Sequence, residues 1–292
     1  MLQNIKSIIC LFNMFPDEQA CIDYLEHIRW GNLVISPFDQ YSKVYKCKNN
    51  KYYCTRTNKY FNVKTKTFLE NTKVSLQKWF FAIWLVTSYK KGISSLQLGR
   101  EIGVTQKTAW IMLNKIREAF SLNTDCEPVD GEVEIDETFV GGKNKNRHKD
   151  KKVKNCQGRS FKDKTPVFGI LQRKGKVRTI VVPDTKVKTL NPIIKGCIKP
   201  GSTLYTDEWN YGDINCLYNH KNVNHSAHFY ASGDLHTNSI EGFWSIAKRS
   251  VNGTYHYISK KHMQGYFDEF SFRYNTRNIS SFERFNLFLS YI

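Results

Sequence analysis

The order of β- and α-type segments between residues 132 and 206 constrains the fold of this chain more than any other feature. Residues 132–140 alternate polar with apolar side chains, which predicts a strand. Two further β-type runs flank Lys174-Gly175 and predict a hairpin, and a short helix and a fourth strand, 203–206, follow them. Three antiparallel strands, a helix and another strand therefore predict a mixed α/β domain.

That order of segments is the one expected of a ribonuclease-H-like core. In its first strand, Asp136 lies on the opposite face from Val133 and Ile135, so its side chain is expected to point away from the core that they enter. Asp207 directly follows the fourth strand. A late helix over residues 257–274, with apolar side chains on one stripe, is expected to cover the sheet.

The net charge indicates a polyanionic partner. The 292 residues include 44 Lys and Arg against 26 Asp and Glu, a formal charge of +18. Such an excess favours nucleic acid over an acidic small molecule, although a basic surface can also serve solubility alone. Aromatic residues make up 14% of the chain, which is enough both for a core and for stacking on bases.

Cysteine usage and hydropathy indicate an intracellular chain. The eight cysteines are scattered without a regular framework, as expected of reduced thiols. Residues 8–15 make a poor signal peptide, and the most apolar stretch, 79–86, is far shorter than the roughly 20 residues that span a bilayer. We therefore expect no membrane partner and a DNA-associated location, in the nucleus of a eukaryote or the cytoplasm or nucleoid of a bacterium.

Residues 95–120 predict a helix-turn-helix. A first helix with Leu96 and Ile102 inward meets Gly103, and Thr105 caps a second helix. The second helix is expected to bury four apolar side chains, those of Ala109, Met112, Leu113 and Ile116. Its exposed side chains are expected to face a DNA groove: Gln106, Lys107 and Thr108, with Lys115 nearby. An ordinary helical hairpin is the alternative.

Three other segments complete the organisation. Asp17 is expected to cap a short helix over residues 17–30, and Tyr-, Lys- and Thr-rich pieces between 34 and 68 predict a small β module. Residues 141–164 carry ten Lys or Arg and only two Asp. This basic loop could clamp a phosphate backbone, or it could simply be disordered.

Three carboxylates are candidates for metal-dependent phosphodiester chemistry. Two divalent ions about 4 Å apart can activate a hydroxyl or water, stabilise the leaving oxygen and neutralise the phosphate between them. Mg²⁺ prefers oxygen ligands, and the sequence offers Asp136, Asp207 and Glu241. Each also has a structural alternative. Asp136 could be an exposed strand residue, and Asp207 could begin a turn. Glu241 could belong to a capping box over residues 238–241, in which it satisfies a backbone amide.

The helix around Glu241 adds basic side chains to these carboxylates. Its apolar stripe consists of Ile240, Phe243, Trp244 and Ala247. Glu241 and Lys248 lie two turns apart along one adjacent face, with Arg249 beside them. A carboxylate for metal and an ammonium group for phosphate on one edge suit a DNA strand that crosses the site.

Three ordered motifs closely resemble the ISXO-like insertion-sequence transposases, which are related to eukaryotic Merlin elements. They read Glu134-Ile-Asp-Glu-Thr-Phe-Val-Gly-Gly142, Tyr205-Thr-Asp-Glu-Trp209 and His236-Thr-Asn-Ser-Ile-Glu-Gly-Phe-Trp-Ser-Ile-Ala-Lys-Arg249. The likeness extends upstream through the predicted helix-turn-helix and covers residues 14–278 approximately.

The resemblance implies a ribonuclease-H-like catalytic domain that binds Mg²⁺ or Mn²⁺ through Asp136, Asp207 and Glu241, with Lys248 as the basic residue after the glutamate. Some members of the family have an asparagine as third ligand at the position of Asn238, which is therefore an alternative. Glu241 is favoured because an anionic oxygen binds a hard cation better than an amide does.

The chain departs from the family at the N-terminus. Similar members carry a zinc ribbon with two Cys-x-x-Cys knuckles, whereas here the corresponding residues are Ser36-Pro-Phe-Asp39 and Cys54-Thr-Arg-Thr57. Because one of four thiolates remains, we expect no bound zinc and a module held together by packing of Tyr and Phe side chains.

These observations predict three regions: an N-terminal helix with a degenerate zinc-ribbon-like module (1–70), a helix-turn-helix region (71–125) and a ribonuclease-H-like domain (126–292). The function expected from the resemblance is a transposase that binds double-stranded DNA, namely terminal inverted repeats and target, and catalyses strand cleavage and transfer. A homo-oligomer is expected because two DNA ends must meet. The alternatives are a catalytically inactive DNA-binding derivative and a structure-selective nuclease of the same fold.

Overall fold

The computed structural model describes residues 7–122, 127–141, 148–153, 164–207, 213–222 and 236–292. The chain divides into two compact units. The first consists of residues 1–123 and 278–292, and the second of residues 124–277.

Helices and strands alternate along the chain in blocks. The helices are α1 (Ile8–Met14), α2 (Glu18–Trp30), α3 (Leu76–Ser88), α4 (Ser95–Ile102), α5 (Gln106–Leu122), α6 (Val187–Cys197), α7 (Asn238–Ser250), α8 (Met263–Asn275) and α9 (Ser281–Leu289). The strands are β1 (Val44–Lys46), β2 (Tyr52–Cys54), β3 (Lys59–Phe61), β4 (Glu132–Val140), β5 (Thr165–Gln172), β6 (Val177–Val181), β7 (Thr203–Thr206) and β8 (Asn219–Asn222). Among the described helices, none has the length and apolar character needed to cross a bilayer.

The first unit is built around α3, which is buried on nearly all sides. The C-terminal helix α9 packs on it through Phe285, whose ring centroid lies 5.6 Å from that of Phe80. Phe288 of α9 is fully buried and lies 4.9 Å from Phe120 of α5. Residues 278–292 therefore lie in the first unit, whereas the sequence assigned them to the domain 126–292. The reason is that these buried rings complete the aromatic core of the helical unit.

The two predicted caps in the first unit are confirmed. The Asp17 carboxylate accepts a hydrogen bond from the Ala20 amide at 2.8 Å at the start of α2. At the start of α5, the Thr105 hydroxyl accepts one from the Thr108 amide at 3.2 Å. Gly103, between α4 and α5, has φ +64°, a left-handed conformation that favours glycine.

The predicted inward position of Leu96 in α4 is wrong. Its side chain is 52% exposed, and Leu98 and Ile102 form the buried stripe instead. Residues 98 and 102 are four apart and lie on one side of the helix, whereas residues 96 and 102 are six apart, about 240° around its axis, and cannot share a face. The apolar residues expected to be buried in α5 are indeed buried: Ala109, Met112, Leu113 and Ile116.

The predicted β module is a small antiparallel sheet of order β1-β2-β3. One face is a buried cluster of Tyr52, Cys54 and Phe61, against which Trp30 packs. Burial alone would raise the pKa of the Cys54 thiol. Hydrogen bonds outweigh this effect and lower the pKa to about 6, and the one from Ser36 contributes most among them. The Ser36 hydroxyl thus contacts the Cys54 thiol.

The second unit contains a five-stranded mixed sheet of order β6-β5-β4-β7-β8. Strands β4, β5 and β6 are antiparallel neighbours, whereas β7 and β8 run parallel to β4. One face packs against α6 through a cluster that includes Val133 and Ile135. The other face packs against α7 and α8. The predicted strand and helix order of this mixed α/β unit is confirmed.

The late helix is shorter than predicted. It begins at Met263 and not near residue 257, because the chain after α7 first forms a π-helical turn, Val251–Tyr255, and a 3₁₀ turn, Lys260–His262. The predicted stripe is retained, since Met263, Phe267 and Phe270 are buried against the sheet.

Candidate active site

The central strand β4 presents Asp136 on the face of the sheet that α7 covers. Val133 and Ile135 enter the cluster on the α6 face, so the alternation along the strand sends Glu134 and Asp136 to the other side. The indole Nε1 of Trp244, on α7, donates a hydrogen bond of 3.0 Å to the Asp136 carboxylate. The predicted orientation of Asp136 is confirmed.

Asp207 lies beside Asp136 because the strands that carry them are parallel neighbours. The β4 to β7 register pairs Glu134 with Tyr205 and Ile135 with Thr206. One further step in the same register brings the two aspartates together, and neighbouring strands are about 4.8 Å apart. Asp207 is half-buried at this strand end.

Glu241 lies in the first turn of α7, and its charge acts on Asp136. Its Oε1 accepts a hydrogen bond of 3.0 Å from the Thr237 hydroxyl. The capping box over residues 238–241 does not form, because α7 already begins at Asn238 and its N-cap is Thr237, which makes no side-chain capping bond. Asn238, the alternative ligand, is exposed at the first position of the helix.

The charges of these groups act on one another. Burial is the main cause that raises the pKa of Asp136 to about 6, and the negative charges of Asp207 and Glu241 raise it further. Within the described ranges, no three His, Cys, Asp or Glu side chains are already drawn together as a metal-binding group. The three carboxylates nevertheless supply the hard oxygen donors that Mg²⁺ prefers, and their mutual repulsion is what a bound cation would relieve.

A buried ion pair, which no sequence pattern predicted, anchors the start of α7. Glu134 is fully buried, and one of its oxygens accepts a 2.9 Å hydrogen bond from the Ile240 amide in the first turn of α7. Its other oxygen accepts a 2.9 Å bond from Arg173. The Arg173 guanidinium also donates to the His236 carbonyl at 2.6 Å and lies 3.7 Å from the ring centroid of Tyr205. Glu134 therefore holds the helix that carries Glu241 against the strand that carries Asp136.

A glycine beside Asp136 was missed as well. Gly169 is the register partner of Asp136 on β5, and a Cβ atom there would lie 2.4 Å from Cζ2 of Trp244. The missing side chain makes room for the indole that donates to Asp136. No local pattern identifies such a glycine, since its role depends on a residue 75 positions further along the chain.

Gly169→Ala is expected to displace Trp244, to destabilise the protein by about 1 to 3 kcal/mol, and to reduce any metal-dependent activity by about 10- to 100-fold. Urea unfolding and activity assays measure both effects. Gly196→Ala on α6 is the matched control, because a Cβ there meets nothing within 4 Å. That substitution should stabilise α6 slightly, and an equal loss in both variants would contradict the role given to Gly169.

Asp136→Asn is expected to stabilise the metal-free protein at neutral pH. Because the pKa rises from 3.8 to about 6 on folding, the contribution of Asp136 to stability is fully present below pH 3.8 and is lost as pH rises through 6. Asparagine removes this loss, which we place at about 1 to 3 kcal/mol. The measurement is urea unfolding in EDTA at pH 5 and pH 7.5.

Asp268→Asn is the control for this prediction. Burial raises the pKa of Asp268 on α8 to about 6 as well, so its replacement should give the same pH effect. Stabilisation by added Mg²⁺ should disappear only in Asp136→Asn. If both variants still respond to Mg²⁺ like the wild type, Asp136 is not a metal ligand.

The basic residues predicted on α7 are exposed in its last turn. Lys248 and Arg249 lie outside the buried stripe of the helix, which consists of the four predicted residues and Ser250. Much of the basic loop 141–164 falls outside the described residues, as do Gly142, Glu208 and Trp209 of the motifs.

The predicted DNA-facing residues lie at the start of α5. Gln106 and Lys107 are exposed and Thr108 is half-buried. The Gln106 amide is engaged with the Ser95 hydroxyl at 2.8 Å. Lys115, predicted to lie near this surface, is half-buried, and its ammonium group donates to the Phe68 carbonyl at 2.8 Å.

A mixed α/β domain in a strongly basic chain suits a protein that acts on nucleic acid. More particularly, the chain belongs to the ISXO2-like transposase family, whose domain matches residues 128–275, half of the chain. The match covers almost the whole of the second unit.

Two relatives come from mobile or transposase-like genes. A protein in transposable element ISH50 of Halobacterium salinarum is 27% identical over 273 residues, 89% of this chain and 91% of that protein. A transposase-like protein of Haemophilus influenzae is 38% identical over 110 residues, 37% of this chain and 88% of that protein. The first likeness therefore includes the N-terminal unit.

Proposed function

We propose that this chain is a metal-dependent DNA transposase that binds the terminal inverted repeats of its element, cleaves DNA there and joins the freed ends to a target. The observation that supports the proposal is the position of Asp136 and Asp207 at neighbouring ends of the parallel strands β4 and β7, with Glu241 on the helix that covers this face of the sheet. The charges of the last two raise the pKa of the first. Negative charges that act on a buried carboxylate disfavour folding, and a bound cation would offset that cost.

The sheet supports a ribonuclease-H-like core for this domain. Three antiparallel strands lead into two strands parallel to the first, with helices on both faces. The first strand lies at the centre of the sheet, and its Asp136 lies next to the residue that follows the fourth strand. This is the strand order that the sequence analysis expected.

The three carboxylates would hold Mg²⁺ or Mn²⁺, which would supply activation of the attacking oxygen and neutralisation of phosphate charge. The rest of the site belongs to the chain itself. Trp244 orients the Asp136 carboxylate, and Glu134 fixes the first turn of α7 so that Glu241 faces the strand ends. Such outer partners hold ligands in a geometry suited to metal binding.

DNA recognition is assigned to two surfaces. Helices α4 and α5, with their left-handed Gly103, suit a helix-turn-helix in which Gln106, Lys107 and Thr108 face the groove. Lys248 and Arg249 suit contacts with phosphates near the cleavage site. Bringing two element ends together requires an oligomer, which is a further part of the proposal.

The deciding experiment incubates the purified chain with a labelled duplex containing one end of the element and Mg²⁺ or Mn²⁺. Products nicked at the boundary of the inverted repeat, and later joined to a target plasmid, would support the proposal. Specific duplex binding without nicking under either metal would instead favour an inactive DNA-binding derivative. Cleavage that depends on DNA shape and not on the repeat would favour a structure-selective nuclease.

Lys248→Ala is expected to weaken binding to the end duplex and to reduce the slope of log K against log salt by about one unit. The reason is that one phosphate contact releases about one counterion. Lys195→Ala is the matched control, since Lys195 is an exposed lysine on α6 at the opposite face of the sheet. Equal slopes for the two variants would contradict a phosphate contact at Lys248.

A further inference from the structure

Three tyrosines form a row across the exposed face of the small sheet. Tyr45 of β1 pairs with Tyr53 of β2, and Tyr53 pairs with Tyr60 of β3. Residues in register on neighbouring strands point to the same face, so the three rings lie side by side. The rings of Tyr53 and Tyr60 have centroids 5.1 Å apart. We call this set the tyrosine row.

The tyrosine row is not needed for the core of the module. The opposite face of the sheet already supplies that core through Tyr52, Cys54 and Phe61. By contrast, Tyr45 is 58% and Tyr60 63% exposed. Large rings that stay in water, in register on three strands, form an apolar surface available for a partner.

Positive charge surrounds the tyrosine row. Residues 43–66 contain eight Lys or Arg and no Asp or Glu. Lys43 and Lys51 are exposed and precede Tyr45 and Tyr53 by two positions, so the strand alternation continues the same face through them. The Cys47 amide bonds to the Lys51 carbonyl at 2.8 Å, which extends the pairing of the two strands to that lysine. A partner on this face must therefore combine negative charge with flat apolar groups.

We propose that the tyrosine row is a stacking site for unpaired bases of a DNA strand, with Lys43 and Lys51 contacting its phosphates. Stacking on aromatic rings beside basic side chains is how proteins hold single strands without reading their sequence. Three strands span roughly 10 Å, which suits two or three nucleotides. A duplex hides the faces of its bases inside the stack, so the row fits an unpaired segment better. The inference rests on the proposed function only in taking DNA as the polyanion.

The test measures how tightly the full chain binds a fluorescein-labelled 12-nucleotide oligo-dT strand. Fluorescence anisotropy, recorded in EDTA, reports the binding. The double variant Tyr45→Leu with Tyr60→Leu is expected to weaken this binding at least about tenfold, given the contribution of each stacked base. The matched variant, Tyr45→Phe with Tyr60→Phe, keeps the rings and should stay within about threefold of the wild type. Binding to an end duplex should change little in either variant.

A single substitution controls for loss of binding caused by misfolding of the small sheet. Tyr45→Leu leaves the contact between Tyr53 and Tyr60 intact, and it should still weaken oligo-dT binding by about threefold or more. Tyr41→Leu, at an exposed tyrosine outside the row, should have no effect.

Three results would overturn the inference: a wild-type chain that does not bind oligo-dT, leucine variants that bind it normally, or equal losses on single strand and duplex. None of these depends on cleavage. The proposed transposase activity is tested separately by Asp136→Asn, which should bind oligo-dT like the wild type.

Discussion

Asp136→Asn is expected to abolish cleavage of an end-containing duplex while its affinity for that duplex stays nearly unchanged. The substitution keeps the shape of the side chain but removes the anionic oxygen at the centre of the carboxylate group. Loss of an outer partner typically reduces metal-dependent activity by about 10- to 100-fold, so loss of a ligand should cost more. The measurement is the initial rate of strand nicking at saturating Mg²⁺, beside an equilibrium titration of the duplex.

The matched control for cleavage is again Asp268→Asn. Asp268 is a buried carboxylate on the same side of the sheet, and it contacts Gln264 and not the candidate metal site. It should cleave at close to the wild-type rate. If Asp136→Asn also loses duplex binding, the division between a recognition surface and a catalytic centre is mistaken. If it cleaves normally, the carboxylate group is not the active site.

Glu134→Leu is expected to destabilise the protein by about 3 to 5 kcal/mol, the largest structural effect that we predict. It leaves the largely buried guanidinium of Arg173 with only the exposed carboxylate of Glu132, 3.8 Å away, and removing one partner is the costly way to break a buried pair. It also removes the acceptor of the Ile240 amide at the start of α7. Urea unfolding at pH 7.5 in EDTA measures the loss of free energy.

A double variant separates stability from function in this pair. Adding Arg173→Met to Glu134→Leu should restore much of the lost stability, because an apolar pair often replaces a buried ion pair without penalty. Cleavage should remain impaired, since α7 still lacks the bond that holds Glu241 near Asp136. Lys199→Ala, which breaks an exposed pair with Asp130, should change stability by less than about 1 kcal/mol. Full recovery of cleavage in the double variant would contradict the anchoring role.

Local patterns were sufficient to predict most of the elements. The alternation along β4 predicted both its limits and the direction of Asp136, and the apolar stripe of α7 predicted that Glu241 lies on the face adjacent to that stripe. Helix limits were less predictable. Tyr257 continues an apolar pattern that resembles helix, yet it lies between a π-helical turn, Val251–Tyr255, and a 3₁₀ turn, Lys260–His262. Leu96 illustrates a different problem, because residues six apart, such as 96 and 102, do not lie on the same face of a helix.

The parts of the site that depend on pairing between distant strands could not be predicted. Gly169 acquires its role from being opposite Asp136 in register and beneath Trp244, and neither relation is local. Glu134 stands in the same motif as Asp136, but its partner Arg173 and the amide of Ile240 come from other elements. Sequence patterns thus identified the groups suited to chemistry and missed the groups that position them.

The position of α9 has a consequence for how the chain folds during synthesis. Phe285 and Phe288 fill the core of the first unit, and Asn286 accepts a 2.8 Å bond from Tyr24. These residues leave the ribosome after all of residues 124–277. The first unit therefore cannot complete its aromatic core until the whole of the second unit has been translated. A fragment that stops at residue 123 would lack these rings and would expose the aromatic side chains that they cover.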